Sequence, residues 1–384
     1  MTITTPAGFV ASGVHCGIRR ARADLALVRS LPRATGAAMF TANRVAAAPV
    51  KVSREHLELA QPQAVVINAG VANAATGVRG ELDARATAAE TGRLLELPAE
   101  EVLVLSTGTI GEPLPLHKVL AGLGDAAERL SPDGGAAAAE AILTTDTCSK
   151  QAVAHGPGFG VAGIAKGSGM IHPNLATMLA VVTTDYALEP GEAIEFLRPA
   201  VEKSFNSISV DGECSTNDAV VLLANGASGA ERAADEFANA LATVCRELAE
   251  QIVADGEGAT VLAEICVERA ASTEEARAIA RRIATSPLVK TALFGHDANW
   301  GRVLAAAGSA PFNGGYAQLD PDRVSLRYNG ALVLLGGTPQ GIEPDVGGSA
   351  CRIELDLGLG DGEASYLTSD LSYDYVRINA EYRT

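Results

Sequence analysis

An α/β fold is predicted by three observations along the sequence. Short apolar runs bounded by turn signals, AVVIN (64–68), VLVLS (102–106) and MLAVV (178–182), read as strands buried on both faces. Between them lie segments rich in Ala, Leu, Glu and Arg, which favour helix. Small hydroxyl and glycine residues stand at the strand ends, where α/β folds place functional loops.

In chain order, LALVRS (25–30) and AAMFTA (37–42) are strand-like pieces separated by Gly and Pro. AVVIN runs into Ala69–Gly70, and ANAATG (72–77) reads as a loop feeding a helix from about Glu81 to Leu95. VLVLS ends in Thr107–Gly108–Thr109–Ile110–Gly111, read as a turn. Helices near 116–130 and 135–143 lead to Thr144–Thr145–Asp146–Thr147. The stretch GIAKGSGMIHPNLATMLAVVTTD (163–185) opens glycine-rich around Lys166 and cannot begin as a regular helix. It passes a polar loop, His172–Pro173–Asn174, and turns apolar at Leu175–Ala176–Thr177.

A helix at 191–204 follows, then a polar patch from Val210 to Asp218 that precedes a buried apolar run. The clearest helix is 231–253, where Phe237, Leu241, Val244, Leu248 and Ile252 form one stripe. It stops at Asp255–Gly256–Glu257–Gly258, whose glycines end the helix and are expected to expose the Glu257 carboxylate. A strand (261–268), a helix (273–284), a helix after Trp300 and the strands RVSLRY, CRIELDL and GEASYLTSD complete the chain. There is no internal repeat and no Pro/Gly/Ser linker, so separable domains are not expected.

Composition narrows the function. Of 384 residues, 47% are hydrophobic and only 4% aromatic, with 40 glycines, so the core is expected to pack backbones closely through small side chains. A formal charge of −16 and the lack of a basic stripe argue against a nucleic-acid partner. Six scattered cysteines with no CxxC pair read as reduced thiols rather than a disulfide framework. With no secretory pattern at the N-terminus and no apolar run near the roughly 20 residues of a membrane helix, a cytoplasmic protein without a membrane partner is expected.

The candidate sites each carry a plain reading beside the chemical one. The six histidines show no HxxxH or HxxE spacing, so no metal is expected and structural roles are favoured. No G-x-S-x-G elbow is present. GPGFG (156–160) and GLGDGE (358–363) lack dinucleotide-loop spacing, and GIAKGSG lacks that of a phosphate loop. Thr107–Gly108 could polarise a carbonyl through freed amides together with the Thr hydroxyl, or be a simple strand-ending turn. Lys166 could meet a carboxylate, or be a solvated loop lysine. Glu257 could meet an ammonium, or simply be exposed. Thr177 could be a new N-terminus in a self-cleaving chain, or a β-former opening a strand.

Taken together these segments narrow the choice. STGTIGEPLP, ILTTDT, the 163–185 stretch, SFNSISVDGECSTNDAVVLLANG, ADGEGAT, SPLVKTALFGHDANWGRVLAAAG and SDLSYDYVRINAEYRT occur in the order found in one family. From about residue 7 to the C-terminus the chain closely resembles the glutamate N-acetyltransferase/ornithine acetyltransferase family of arginine biosynthesis. The resemblance implies a layered αββα fold of the ornithine-acetyltransferase/DmpA-like type. It implies self-cleavage between Ala176 and Thr177 into an α chain of 1–176 and an intertwined β chain of 177–384. It also implies an α2β2 heterotetramer.

By the same resemblance Thr177 is the nucleophile and Thr107 and Gly108 form the oxyanion hole. Thr144, Lys166, Thr177, Glu257, Asn379 and Thr384 contact substrate. A freed α-amine, with a pKa of roughly 7.7–8.0, can take the Thr177 hydroxyl proton, which an amide cannot. The implied reaction is ping-pong: acetyl passes from N2-acetylornithine to Thr177 and then to glutamate. No cofactor is implied beyond acetyl-CoA as a possible second donor. A related N-terminal-nucleophile acyltransferase of secondary metabolism, an aminopeptidase of the same fold, and a non-catalytic binding protein remain as alternatives.

Two segments depart from the family pattern. Asn68–Ala69–Gly70 stands where the family reads Asn-Ser-Gly in an early loop, and Ala298 replaces a common proline. Neither is expected to touch the nucleophile, oxyanion or lysine motifs.

Overall fold

The structure is a computed structural model that describes residues 2–172 and 178–381. The first strands are β1 (Phe9–Val14), β2 (Leu25–Ser30) and β3 (Thr35–Phe40). Helix α1 (Ala48–Leu59) starts on Pro49, whose missing N–H costs nothing in a first turn. Next come β4 (Ala64–Val71), α2 (Gly77–Leu95), β5 (Val102–Thr109), α3 (Leu116–Glu128) and the alanine-rich α4 (Gly135–Ala141). β6 (Lys150–Gly156) and β7 (Phe159–Lys166) form a hairpin closed over Pro157–Gly158, which is where GPGFG lies. β8 (Leu179–Thr184), α5 (Glu192–Glu202), β9 (Ile208–Ser209), β10 (Ala219–Ala224) and α6 (Ala234–Ala254) follow.

The remainder is β11 (Leu262–Ala270), α7 (Thr273–Ala284), α8 (Pro287–Phe294) and α9 (Trp300–Ala307). Then come β12 (Pro311–Phe312), β13 (Gly315–Tyr316), β14 (Ser325–Tyr328), β15 (Ala331–Leu335), β16 (Thr338–Pro339), β17 (Ala350–Asp356), β18 (Gly362–Ser369) and α10 (Tyr373–Glu381). Helix α7 is entered through Ser272, whose hydroxyl accepts the Glu275 N–H at 3.2 Å.

Contacts divide the described residues into two compact units, 2–172 with 178–206 and 213–252, and 207–212 with 253–381. The sequence offers no linker because the division falls inside the C-terminal turn of α6.

In the first unit, one sheet runs β1-β2-β4-β5 and another β3-β10-β8-β7-β6. Side chains alternate faces with a period of two. Val65, Ile67, Leu103 and Leu105 join a core that also holds Ile164, Leu179, Val181, Val221 and Leu223 of the other sheet. Their neighbours Val66, Val104, Leu25 and Leu27 pack with Ala88, Leu95, Val119 and Leu123 of α2 and α3. On the far side of the second sheet, Phe159 and Tyr186 meet Phe237 of α6, with ring centroids 6.1 and 4.8 Å away. The layers are therefore helix, sheet, sheet, helix, and burial of both faces explains the continuous apolar runs. Backbones approach closely, as foreseen: a Cβ at Gly13 would stand 2.0 Å from the Ala137 carbonyl oxygen.

The second unit is a seven-stranded sheet, β16-β15-β14-β17-β11-β18-β9, with α7 laid on β11 and β18. Ile265, Val267, Ile279, Ile283, Leu326, Ile353, Leu355 and Tyr366 centre its core.

Candidate functional site

Thr107 and Gly108 lie inside β5, not in a turn after it. Ala69 pairs with Thr107 and Gly70 with Gly108, and the register shifts at Val71. The extension depends on a tertiary partner: β4 also continues through the Ala69–Gly70 segment, which the sequence reads as the approach to a loop. Gly108 has φ +129°, and a Cβ there would meet the Gly70 carbonyl carbon at 2.2 Å. Glycine at 108 is what permits this approach; a Cβ at Gly70, φ +111°, would instead meet the Ile18 side chain at 2.7 Å. Ala69, expected to be remote from the oxyanion motif, is the residue directly across from Thr107.

A buried charged knot lies nearby in sequence order at the end of α4 and the start of β6. Asp146, 2% exposed, takes the Lys150 ammonium at 2.6 Å and the Gly167 N–H at 2.7 Å on one oxygen. Its other oxygen accepts the Thr144 N–H at 2.9 Å. Burial alone would raise this carboxyl, but the Lys166 and Lys150 charges override it and hold the group well below the usual carboxylate range. Arg19 Nη1 also donates to the Leu143 carbonyl at 2.6 Å, fixing the approach to Thr144. Lys166, read as a candidate loop lysine, is instead the last residue of β7 and only 2% exposed. Asp146 and Lys150 were not singled out from sequence; the signal available was a Thr-Asp pair and a lysine four residues later, bracketing a strand start.

The polar patch before β10 holds two further residues that sequence reasoning did not select. Asn217 Nδ2 donates to the carbonyls of Ala72 at 2.6 Å and Ser106 at 2.8 Å. Asp218, fully buried, accepts the Met178 N–H at 3.2 Å on one oxygen. Its other oxygen has no hydrogen-bond partner among the described residues. Thr41 flanks this carboxyl but directs its hydroxyl to the Ser215 carbonyl at 2.7 Å. Burial pushes the Asp218 carboxyl well above the usual range, against the Met178 amide, the Thr41 and Ser215 hydroxyls and the Lys166 charge.

Glu257 and Asn379 come together in the second unit, where Asn379 Nδ2 donates to Glu257 Oε2 at 2.9 Å. Glu257 is 9% exposed, which corrects the expectation of a solvent-facing carboxylate. Its loop is pinned from one side. Asp370 accepts from Thr260 Oγ1 at 2.7 Å and from the Val261 N–H at 2.9 Å. Ser372 Oγ donates to the Gly258 carbonyl at 2.6 Å. Lys290, 4% exposed, donates to Thr368 Oγ1 at 3.0 Å and to the Ser369 carbonyl.

Ala176, Thr177 and Thr384 lie outside the described residues. Three histidines serve the backbone: His15, His56 and His296 bond the carbonyls of Arg19, Val102 and Val346. GLGDGE is the connection between β17 and β18.

The strand ends of the first unit collect buried charge, glycines and hydroxyls, the position at which α/β enzymes place their sites. The family description "ArgJ family" matches residues 10–384. The arginine biosynthesis bifunctional protein ArgJ of Symbiobacterium thermophilum is 46% identical over 400 residues, covering 100% of this chain and 98% of that protein. Its namesake from Mycobacterium tuberculosis is 45% identical over 392 residues, covering 99% and 96%. A solved structure of ornithine acetyltransferase complexed with ornithine, also from Mycobacterium tuberculosis, is 42% identical, covers 45% of this chain and 94% of that one, and has a TM-score of 0.44. The chain belongs to the ArgJ family. It is an acyltransferase of arginine biosynthesis.

Proposed function

We propose that this protein moves acetyl from N2-acetylornithine to glutamate through an acetyl ester on Thr177, after cleaving itself between Ala176 and Thr177. The observation that carries the reading is the family match over residues 10–384, which includes every candidate position. The geometry supports it. Gly108 lets β5 lie close against β4 at Gly70, where paired strand ends can present donors to a tetrahedral oxyanion. Lys166, buried at the end of β7, is suited to a substrate carboxylate, and Thr144 is held by Asp146. In the other unit Glu257 is suited to an ammonium and is oriented by Asn379. Thr384 is assigned to substrate by resemblance alone.

Hydroxyl attack needs a base, and cleavage supplies one by turning the Thr177 amide into an amine. Thr177 Oγ adds to the acetyl carbonyl, its proton passes to the amine and on to the leaving nitrogen, and ornithine departs. Glutamate's amine then displaces the threonine. The α chain (1–176) and β chain (177–384) stay intertwined on this reading, because β7 and β8 are neighbours in one sheet. Assembly as α2β2, location in the cytoplasm and use of acetyl-CoA as a second donor belong to the same proposal.

The test is intact-mass analysis of wild type beside Thr177→Ala, followed by assay with acetylornithine with and without glutamate. Fragments 1–176 and 177–384 in wild type alone, with acetylglutamate formed only when glutamate is present, are expected. A single uncleaved chain in active wild type would sink the mechanism. Ornithine release without acetylglutamate would make the protein a hydrolase.

A further inference from the structure

We propose that Asn217 and Asp218 are positioning residues that set the spacing between the Thr107–Gly108 strand and the strand that begins just after Thr177. The inference rests on Thr177 being the nucleophile.

The two residues are adjacent, Asn217 in a bend and Asp218 immediately before β10. Here one side chain reaches each sheet. Asn217 spends both amide protons on sheet-end carbonyls: Ala72, beyond the end of β4, and Ser106, the residue before Thr107. Ser106 in turn donates its hydroxyl to Asn68 Oδ1 at 2.5 Å, and Asn68 Nδ2 donates to the Val71 carbonyl at 2.9 Å. The oxyanion candidates thus sit on strands laced together by Asn68, Ser106 and Asn217.

Asp218 works on the other sheet. Its carboxyl takes the N–H of Met178, the first residue after Thr177. The backbone reinforces the grip, because the Ala219 N–H donates to the Met178 carbonyl at 3.2 Å and the Thr41 N–H to the Asp218 carbonyl at 3.0 Å. Neither sheet can shift along the other without breaking bonds made by this dipeptide.

The choice of an acid has its own logic: in a fully buried site the anion is costly, so the carboxyl's pKa is raised despite the Met178 amide and the neighbouring Thr41 and Ser215 hydroxyls. Lys166 is the charged group facing it, and Lys166 already acts on Asp146.

The experiment compares Asn217→Ala, Asn217→Asp, Asp218→Ala and Asp218→Asn in the full chain, by rate of fragment appearance and by kcat and KM per cleaved molecule. Misplacing reacting groups by about 1 Å costs on the order of 10²-fold. Asp218→Ala and both Asn217 variants are therefore expected to slow cleavage and lower kcat by about that factor, with KM for acetylornithine little changed. Asp218→Asn, a neutral isostere that still accepts the Met178 N–H, is expected to stay within about tenfold of wild type, with an unaltered pH profile.

Wild-type kcat in folded Asp218→Ala and Asn217→Ala, or a loss confined to KM, overturns the proposal. So does a folded Asp218→Asn as impaired as Asp218→Ala. Should Asp218→Ala not fold, Asp218→Asn decides: a protonated-carboxyl infrared band lost from wild type on this substitution, with activity kept, supports the proposal, and its absence overturns it. Thr177→Ala runs alongside. If that variant still cleaves, the nucleophile and this inference fall together. If it is blocked while Asn217→Ala and Asp218→Ala run normally, the inference alone falls.

Discussion

At Gly108 a methyl group has nowhere to go: backbone atoms of Gly70 and Val71 lie within 2.6 Å of where it would stand. Gly108→Ala is expected to give insoluble or uncleaved protein, so it cannot isolate an oxyanion contribution. Thr107→Ala can. Removing one donor to an oxyanion costs about 10²–10³-fold in kcat, and circular dichroism should show the fold retained. Two buried acids of the same unit answer pH in opposite senses. Asp146, depressed by its lysines, contributes stability that is full above its ordinary 3.8 and is lost as acid titrates it in the folded state. Asp218, elevated by burial, keeps a proton that the unfolded chain releases, so its contribution falls as pH rises above 3.8. Melting temperatures of Asp146→Asn and Asp218→Asn against wild type from pH 3 to 7 should diverge from it with opposite slopes. The residue types and motif order were legible in the sequence, and depth was not. Lys166 and Glu257 carry polar heads between glycines, a pattern shared by solvent loops, and only long-range packing buries them.

Among elements, the helix–loop–strand junctions of the second unit give a sharper test. Burial pushes the Lys290 ammonium on α8 down to about 8, against the favourable charges of Asp370 and Asp211. The unfolded chain holds that proton to 10.5, so between about 8 and 10.5 unfolding takes up a proton and stability rises with pH. Relative to Lys290→Met, the wild-type melting temperature is expected to climb over that window. Asp370→Ala releases the Thr260 and Val261 amides that hold the Glu257 loop. On the proposed role of Glu257, KM for the amino-acid substrate should rise about tenfold while kcat changes little, as steady-state kinetics would show. Elements with a strong local period were readable: 25–30 and 273–284 match β2 and α7 as formed. β5 was cut short because Thr-Gly-Thr reads locally as a turn, and it is Ala69–Val71 that keeps it extended. Helix α10 has no buried residue and so no apolar stripe to announce it.

For the whole molecule, 384 residues fold as two compact units around separate cores. Among the described residues no helix is long and apolar enough to cross a membrane. The sequence, lacking a linker, concealed this division because helix α6 carries the chain across it. The charge of −16 repels like molecules at long range, so any assembly into α2β2 should tighten as salt screens that repulsion. Sedimentation at two ionic strengths would register the shift, and a species that dissociates in salt would contradict it.

β8 has one more consequence. It pairs with β7 on one side, antiparallel, and β10 on the other, parallel, along its full length. A cut at the Ala176–Thr177 bond leaves that ladder whole yet changes the molecularity of folding. The uncut precursor regains its structure at a rate independent of dilution. The cut protein, once unfolded, must find its other half, so its refolding half-time should lengthen as concentration drops. On the proposed cleavage, maturation is a ratchet: a covalent connection is given up once the β7–β8 ladder has formed.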